Sequence, residues 1–194
     1  MHQVPRLVER DPGIFVGIRM EMSLMEDKTH LLWRSFMPRR HEVMHRRNTD
    51  FVSLQVYPGD YFMEFDRSRG FEKWALVEVE SVTMPVEEEF GHSIAEKGEM
   101  VGRRDGVPEG MEVFELKGGM YAVFVHSGGD PAIFDYIYGA WLPDSDFELD
   151  MRPHFEVLDA QYRHSDPDAS EEIWIPVRLK DQALSASTNK KTPE

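Results

Sequence analysis

The residue types best suited to chemistry are one glutamate and a set of aromatic rings. Glu156 lies between Phe155 and Val157 in a segment with few other charges. A carboxylate among apolar groups is disfavoured in its charged form unless a cation approaches it. Because indole and phenol rings attract cations through their faces, Glu156 beside such rings would select a flat, apolar, positively charged ligand.

Strand-like alternation predicts which residues share a face with Glu156. Four runs alternate between apolar and mixed positions, as half-buried strands do: 51–57, 74–80, 155–159 and 173–177. If the helices cover the apolar faces, which carry Val52, Leu54 and Ala75, the mixed faces line a cleft of the kind that binds small molecules. The predicted ligand-binding residues are Gln55, Tyr57, Trp74, Glu78, Glu156, Leu158 and Trp174.

A competing candidate is the segment His41-Glu42-Val43-Met44-His45, which matches H-E-x-x-H. On a helix this spacing places both imidazoles on one side for zinc, with Glu42 as the general base of a metalloprotease. Four arginines flank the motif, however, and neighbouring cations oppose metal binding. We interpret the segment as a solvated basic stretch and predict neither a metal site nor a cofactor.

The elements that would position these residues occur twice along the chain. Each half has a glycine-started strand, a short helix that ends at a proline, and two further strands. Thr29 is the predicted cap of the first helix, and Asp130-Pro131 begins the second. The pattern predicts an α+β fold of two strand-helix-strand-strand modules, about 1–82 and 110–180. We expect a pseudo-two-fold to relate them, with a ligand groove between them.

Two segments lie outside these modules. Residues 83–109 carry Glu87-Glu88-Glu89 with several glycines and prolines and no sustained period, which predicts a long surface loop. Residues 181–194 are polar and rich in serine, threonine and lysine, which predicts a disordered tail.

Composition excludes several classes of function. The 22 Lys+Arg against 36 Asp+Glu give a net charge of −14, so binding to phosphate backbones is not expected. There is no cysteine, which excludes disulfides and thiolate-bound metals. No apolar run approaches the roughly 18 residues of a membrane span, and the start lacks the apolar core of a signal peptide. We predict a cytoplasmic protein whose partner is a small molecule rather than nucleic acid or membrane, and a protein partner stays open.

Taken together, these motifs resemble the GyrI-like small-molecule-binding proteins, the effector-binding domains of AraC-type and MerR-type regulators. The resemblance covers nearly the whole chain, and its last two segments contain Phe155-Glu156-Val157 and Trp174-Ile175-Pro176. The other segments that carry it are 32–40, 53–58, 71–79, 108–112, 119–124 and 136–143.

The resemblance implies that residues 1–180 form one effector-binding domain and that Glu156 is its buried acidic residue, which meets cationic drugs. Binding of amphipathic cationic or aromatic compounds is the function it implies. Some family members stand alone and hydrolyse electrophilic cyclopropanoid toxins, so the alternative is a hydrolase in which Glu156 activates water as a catalytic base. The sequence shows no helix-turn-helix, so we expect a stand-alone sensor or sequestering protein.

Overall fold

The computed structural model describes residues 4–64, 66–80, 106–127, 132–160 and 170–180. Within these ranges no helix is both long and apolar enough to cross a membrane. Residues 83–105 of the predicted loop and the predicted tail lie outside the described residues. The strands are β1 Arg6–Arg10, β2 Gly13–Ser23, β3 Phe51–Val56, β4 Gly70–Val79, β5 Glu112–Leu116, β6 Gly119–Ser127, β7 Phe147–Leu149, β8 His154–Leu158 and β9 Ser170–Leu179. The two longer α-helices of the described residues are α1 Thr29–Phe36 and α2 Ala132–Tyr136.

The strands form one antiparallel sheet in the order β1-β6-β9-β8-β3-β4-β2-β5, with β7 paired to β9. The predicted α+β class is confirmed. One half of the sheet contains β2, β3 and β4, and α1 lies between β2 and β3 in the chain. The other half contains β6, β8 and β9, and α2 lies between β6 and β8 in the chain. β3 and β8 pair where the two halves meet. The pseudo-two-fold between the modules stays a prediction.

Strand register decides which side chains share a face. Gln55 on β3 lies opposite Lys73 on β4 and opposite His154 on β8. Ser53 in the same way lies opposite Ala75 and Glu156. Because cross-strand partners point to the same side of a sheet, these polar residues share one face. We call it the helix face, since α1 packs on it.

The sequence predicted the face of β4 that α1 covers, but it assigned the wrong face of β3 to that helix. Leu32 and Phe36 of α1 pack with Ala75 and Val77, which lie on the face of Ser53 rather than of Val52 and Leu54. Val52 and Leu54 lie on the opposite face, in a cluster with Phe15, Trp74, Leu76, Tyr121 and Phe155. Five of the six residues of β3 are buried, so both faces of the sheet centre are covered. Alternation cannot distinguish the two faces of such a strand.

The side-chain acceptor at the start of the first helix comes from a different residue than the predicted one. Asp27 Oδ1 accepts a hydrogen bond of 2.8 Å from the backbone N–H of Thr29, and Thr29 is itself the first helical residue. Asp27 therefore supplies the side-chain acceptor that was predicted from Thr29. The chain continues after α1 as the 3-10 helix Met37–Glu42, which contains Pro38.

The second helix widens where it approaches the sheet. After α2 the chain continues as the π-helix Ile137–Trp141 and ends in the turn Leu142–Asp144. Leu142 N–H donates to Ile137 O, five residues back, and Pro143 has no N–H to continue an α-helical ladder. Ile137 is fully buried in a cluster with Phe124, Ile173 and Ile175, which anchors this wide turn to the sheet.

Candidate functional site

A cavity of about 1100 Å³ opens on the helix face at the centre of the sheet. Gln55, Lys73 and Glu156 form its polar floor, with Ile173 and Ile175 beside them. The residues that line it come from both halves of the chain. Its aromatic walls are Tyr57, Tyr61, Phe62, Phe71, Phe134 and Tyr138.

The aromatic walls are packed against one another around Tyr57 and Phe62. The Tyr57 ring lies 4.5 Å from Tyr61 and 5.1 Å from Phe71, centroid to centroid. Phe62 stacks on His154 at 5.2 Å and on Tyr138 at 5.7 Å. Phe62 is nevertheless 43% exposed. A ring of this kind offers a flat apolar surface to a ligand that enters the cavity.

The polar floor holds Glu156 between two donors. Gln55 Nε2 donates to Glu156 Oε1 at 3.1 Å, and Lys73 Nζ lies 3.5 Å from Glu156 Oε2. The Lys73 side chain is 8% exposed and that of Glu156 is 19% exposed. The carboxylate is therefore the more accessible member of a largely buried ion pair.

Three further polar side chains of the cavity, His154, Tyr138 and Tyr57, are uncharged. Burial lowers the pKa of His154 to about 3, so its imidazole is neutral at physiological pH. Tyr138 Oη lies at hydrogen-bond distance from His154 Nδ1, 2.9 Å. Burial raises the pKa of Tyr138 and of Tyr57 well above the ordinary tyrosine value, so both phenols keep their protons.

Further charges around the cavity leave a small negative excess. Besides Glu156 and Lys73, the lining includes Asp27, Arg67 and Asp135, which makes three carboxylates against two cations. Burial opposes ionisation of Asp27, but hydrogen bonds from Thr29 and the charge of Lys73 hold its pKa below the ordinary value. Lys73 therefore acts electrostatically on both Glu156 and Asp27.

The comparisons with known proteins assign the family. The model of the family described as Cass2, integron-associated effector binding protein, matches residues 6–177. The chain belongs to this family. The resemblance to effector-binding domains that the sequence indicated is confirmed.

Relatives of this Cass2-family chain include a regulator and solved structures. The transcriptional regulator BrlR of Pseudomonas aeruginosa is 29% identical over 176 residues, or 89% of this chain and 54% of BrlR. The chain thus spans about half the length of that curated relative.

Two solved structures share the fold. SAV2435 bound to tetraphenylphosphonium is 14% identical with a TM-score of 0.55, over 91% of this chain and 94% of that one. A hydrolase encoded by lin2189 from Listeria innocua is 10% identical with a TM-score of 0.54, over 90% and 92% of the two chains. At these identities the likeness concerns the fold alone.

Three of the seven predicted ligand-binding residues of this family member line the cavity: Gln55, Tyr57 and Glu156. Leu158 is on the helix face but is 7% exposed and belongs to the core that contains Phe36 and Phe51. It therefore packs beneath α1 rather than at the cavity surface.

The remaining three predicted residues lie on the opposite face of the sheet, so their expected position beside Glu156 is wrong. Trp74 packs against Phe114 at 5.1 Å, and Trp174 stacks on Phe155 at 5.1 Å. Glu78 pairs with Arg10 at 3.2 Å. The reason is register: Trp74 lies opposite Leu54 and not opposite Gln55.

Sequence reasoning missed Lys73, His154 and most of the aromatic wall. Tyr138 follows Ile137 on the apolar stripe of the second helix, so the pattern alone does not distinguish it from a core residue. Lys73 did leave a signal, because it interrupts the otherwise apolar alternation of Phe71, Ala75 and Val77. A buried lysine at such a position needs a counter-ion, which Glu156 supplies.

The H-E-x-x-H segment does not form a continuous helix. The 3-10 helix ends at Glu42, Val43 is extended and buried, and His45 has a φ of 57°. Arg39 binds both carboxylate oxygens of Glu42, at 2.9 and 2.6 Å. Among the described residues no group of three or more histidine or acidic side chains could hold a metal ion.

Proposed function

We propose that this chain binds amphipathic small molecules, aromatic or cationic, in the cavity on the helix face. The observation that carries the proposal is a cavity of about 1100 Å³ with aromatic walls and the partly exposed carboxylate of Glu156 on its floor. Ligand pockets commonly measure about 300–1000 Å³ and combine apolar walls with a few polar groups. The volume suits a ligand with several rings.

The aromatic walls supply the affinity in this proposal. Stacking of a ligand ring on an aromatic side chain contributes about 0.5–1.5 kcal/mol beyond the burial of apolar area. A ligand cation over the face of a tyrosine or phenylalanine gains about 0.5–2 kcal/mol. Several such contacts around Tyr57 and Phe62 account for binding without a specific set of hydrogen bonds to the ligand.

The family assignment and one neighbour support the proposal. The chain belongs to an effector-binding family. SAV2435, which shares the fold, is described in complex with tetraphenylphosphonium, a cation that carries four phenyl rings. A compound of that class is the natural first probe.

The wall is tested by titration calorimetry of wild type, Phe62→Ala and Met63→Ala with tetraphenylphosphonium and the neutral triphenylphosphine oxide. Phe62→Ala should weaken binding about tenfold, or about 1.4 kcal/mol, because it removes a ring stacked on His154 and Tyr138. Met63 is 86% exposed and does not line the cavity, so Met63→Ala should bind as wild type does. The proposal fails if wild type binds neither probe or if Phe62→Ala binds both unchanged.

The carboxylate is tested in the same way with a matched pair. Glu156→Gln should weaken binding of the cation about tenfold, because it removes the charge and leaves Lys73 unpaired. Glu78→Gln makes the same chemical change on the opposite face of the sheet, and it should not alter binding. Equal effects of the two substitutions would contradict a role for Glu156.

Hydrolysis with Glu156 as catalytic base stays the alternative. It requires a water molecule within hydrogen-bond reach of the carboxylate, together with a susceptible electrophile. Product formation from an electrophilic compound by wild type, and its loss in Glu156→Gln, would favour turnover. Saturable binding with no product would favour the binding function.

A further inference from the structure

Lys73 is a cation inside an aromatic, effector-binding cavity. The residue is 7% exposed, and its neighbours on the helix face of β4 are Phe71 and Ala75. A buried ammonium is stable only when it is paired, and Lys73 Nζ lies 3.5 Å from Glu156 Oε2. Glu156 therefore has a counter-ion before any ligand enters.

We infer that Lys73 sets the charge class of the ligand. The cavity binds neutral or zwitterionic aromatic compounds that carry an acceptor oxygen more tightly than it binds lipophilic monocations. The inference rests on the proposed function, since it concerns the same cavity. Lys73 thereby contributes a specificity for charge that the aromatic residues alone do not provide.

The Lys73 ammonium has hydrogen-bond donors that Glu156 does not use. An ammonium group has three N–H donors. Within the part of the chain that the structure describes, Lys73 Nζ makes one hydrogen bond, to Glu156. Lys73 lines the cavity, so a carbonyl, phosphoryl or carboxylate oxygen of a ligand can accept a further bond. A monocation without an acceptor leaves that donor unfilled.

The positive charge of Lys73 also acts against a cationic ligand. A monocation that approaches Glu156 also approaches the Lys73 ammonium, and the repulsion offsets much of the attraction by the carboxylate. Because the lysine is buried, its ammonium stays near Glu156 instead of moving into water. A simple anion is not favoured either, since the lining carries three carboxylates against two cations.

The test compares two probes that share a triphenylphosphorus core. Tetraphenylphosphonium is a monocation with no acceptor, and triphenylphosphine oxide is neutral with a strong acceptor oxygen. Their affinities are measured by calorimetry for wild type and Lys73→Met, whose side chain has a similar length and no charge. The substitution should raise affinity for the cation about tenfold and lower affinity for the oxide about tenfold. The ratio of the two affinities should therefore change about a hundredfold.

Lys117→Met is the matched control. Lys117 is exposed in the turn between β5 and β6, and its substitution changes the net charge of the protein by the same amount as Lys73→Met. The affinity ratio should stay at the wild-type value. A ratio that changes equally in both variants assigns the effect to overall charge and overturns the inference.

A double-substituted variant guards against loss of folding, because Lys73→Met alone leaves the Glu156 carboxylate without its cation. Lys73→Met/Glu156→Gln has no unpaired charge, and it should lose most of the gain in cation affinity while still binding the oxide less tightly than wild type. If the oxide binds this variant as tightly as wild type, Lys73 is not its donor and the inference is wrong.

An unchanged affinity ratio in Lys73→Met overturns this inference alone, whereas binding of neither probe by wild type overturns the proposed function and the inference together.

Discussion

His154 shows how burial fixes the charge state of a single residue. Its ring is 5% exposed, stacks on Phe62 and lies at hydrogen-bond distance from Tyr138. Desolvation disfavours the imidazolium, so the pKa falls from 6.5 to about 3. The aromatic wall therefore keeps a neutral ring next to the Glu156–Lys73 pair.

This burial predicts a loss of stability in mild acid. The folded-state pKa is below the unfolded value, so the unfolded chain binds a proton near pH 6.5 and the folded chain does not until about pH 3. The stabilisation is fully present above pH 6.5, and by pH 5 it falls by about 2 kcal/mol.

Urea denaturation of wild type and His154→Gln at pH 7, 6 and 5 measures this contribution. The variant cannot be protonated at this position, so its free energy of unfolding should fall by about 2 kcal/mol less over the same range. Parallel pH profiles of the two proteins would show that the imidazole is not held neutral.

At the scale of elements, the close approach of β2 and β4 depends on a residue without a side chain. Gly17 lies in the middle of β2, which pairs with both β4 and β5. A Cβ at this position would lie 1.9 Å from the carbonyl oxygen of Ala75, which is backbone and cannot move aside. The pairing in this half of the sheet therefore requires glycine.

Gly17→Ala should lower the free energy of unfolding by about 3 kcal/mol or prevent folding, because the strands must separate to admit the methyl group. Gly139→Ala is the control, since a Cβ there has no heavy atom within 4 Å and the residue is helical. The control should be neutral or stabilising by up to about 1 kcal/mol. Urea midpoints measure both, and equal midpoints for the two variants would contradict the close approach at Gly17.

At the scale of the whole molecule, the charge outside the cavity and the charge within it act on different steps of binding. The chain carries a net charge of −14, whereas the cavity lining differs from neutrality by a single charge. A long-range field accelerates the arrival of cations and is screened by salt over about 10 Å at 0.1 M. The contact with Lys73 is short and is screened much less.

Stopped-flow binding at 0.02 and 0.5 M NaCl separates the two effects. The association rate constant of tetraphenylphosphonium should fall severalfold with salt, because the field that attracts it is screened. That of triphenylphosphine oxide should change little, since it carries no net charge. A dependence on salt that is equal for both probes would show that the overall charge does not steer ligands to the cavity.

The local elements and the position of Glu156 in the cavity lining could be predicted from the sequence. Strands, two short helices and the end of the first helix before Pro38 follow from periodicity and from the chemistry of glycine and proline, which depend on neighbours a few residues apart. The sequence predicts Glu156, Gln55 and Tyr57 in the cavity because each lies on the less apolar side of its own strand.

The partners of those residues depended on tertiary structure. Strand alternation leaves open which faces of adjacent strands join, and a shift of one residue in register moves a side chain to the other side of the sheet. Register placed Trp74, Glu78 and Trp174 opposite to the cavity and brought Lys73 into it. The pair of Lys73 with Glu156 joins residues 83 positions apart, and that of Gln55 with Glu156 joins residues 101 apart. Such contacts form only when β3 bridges the two halves of the sheet, so the counter-ion of Glu156 could be found only in the folded chain.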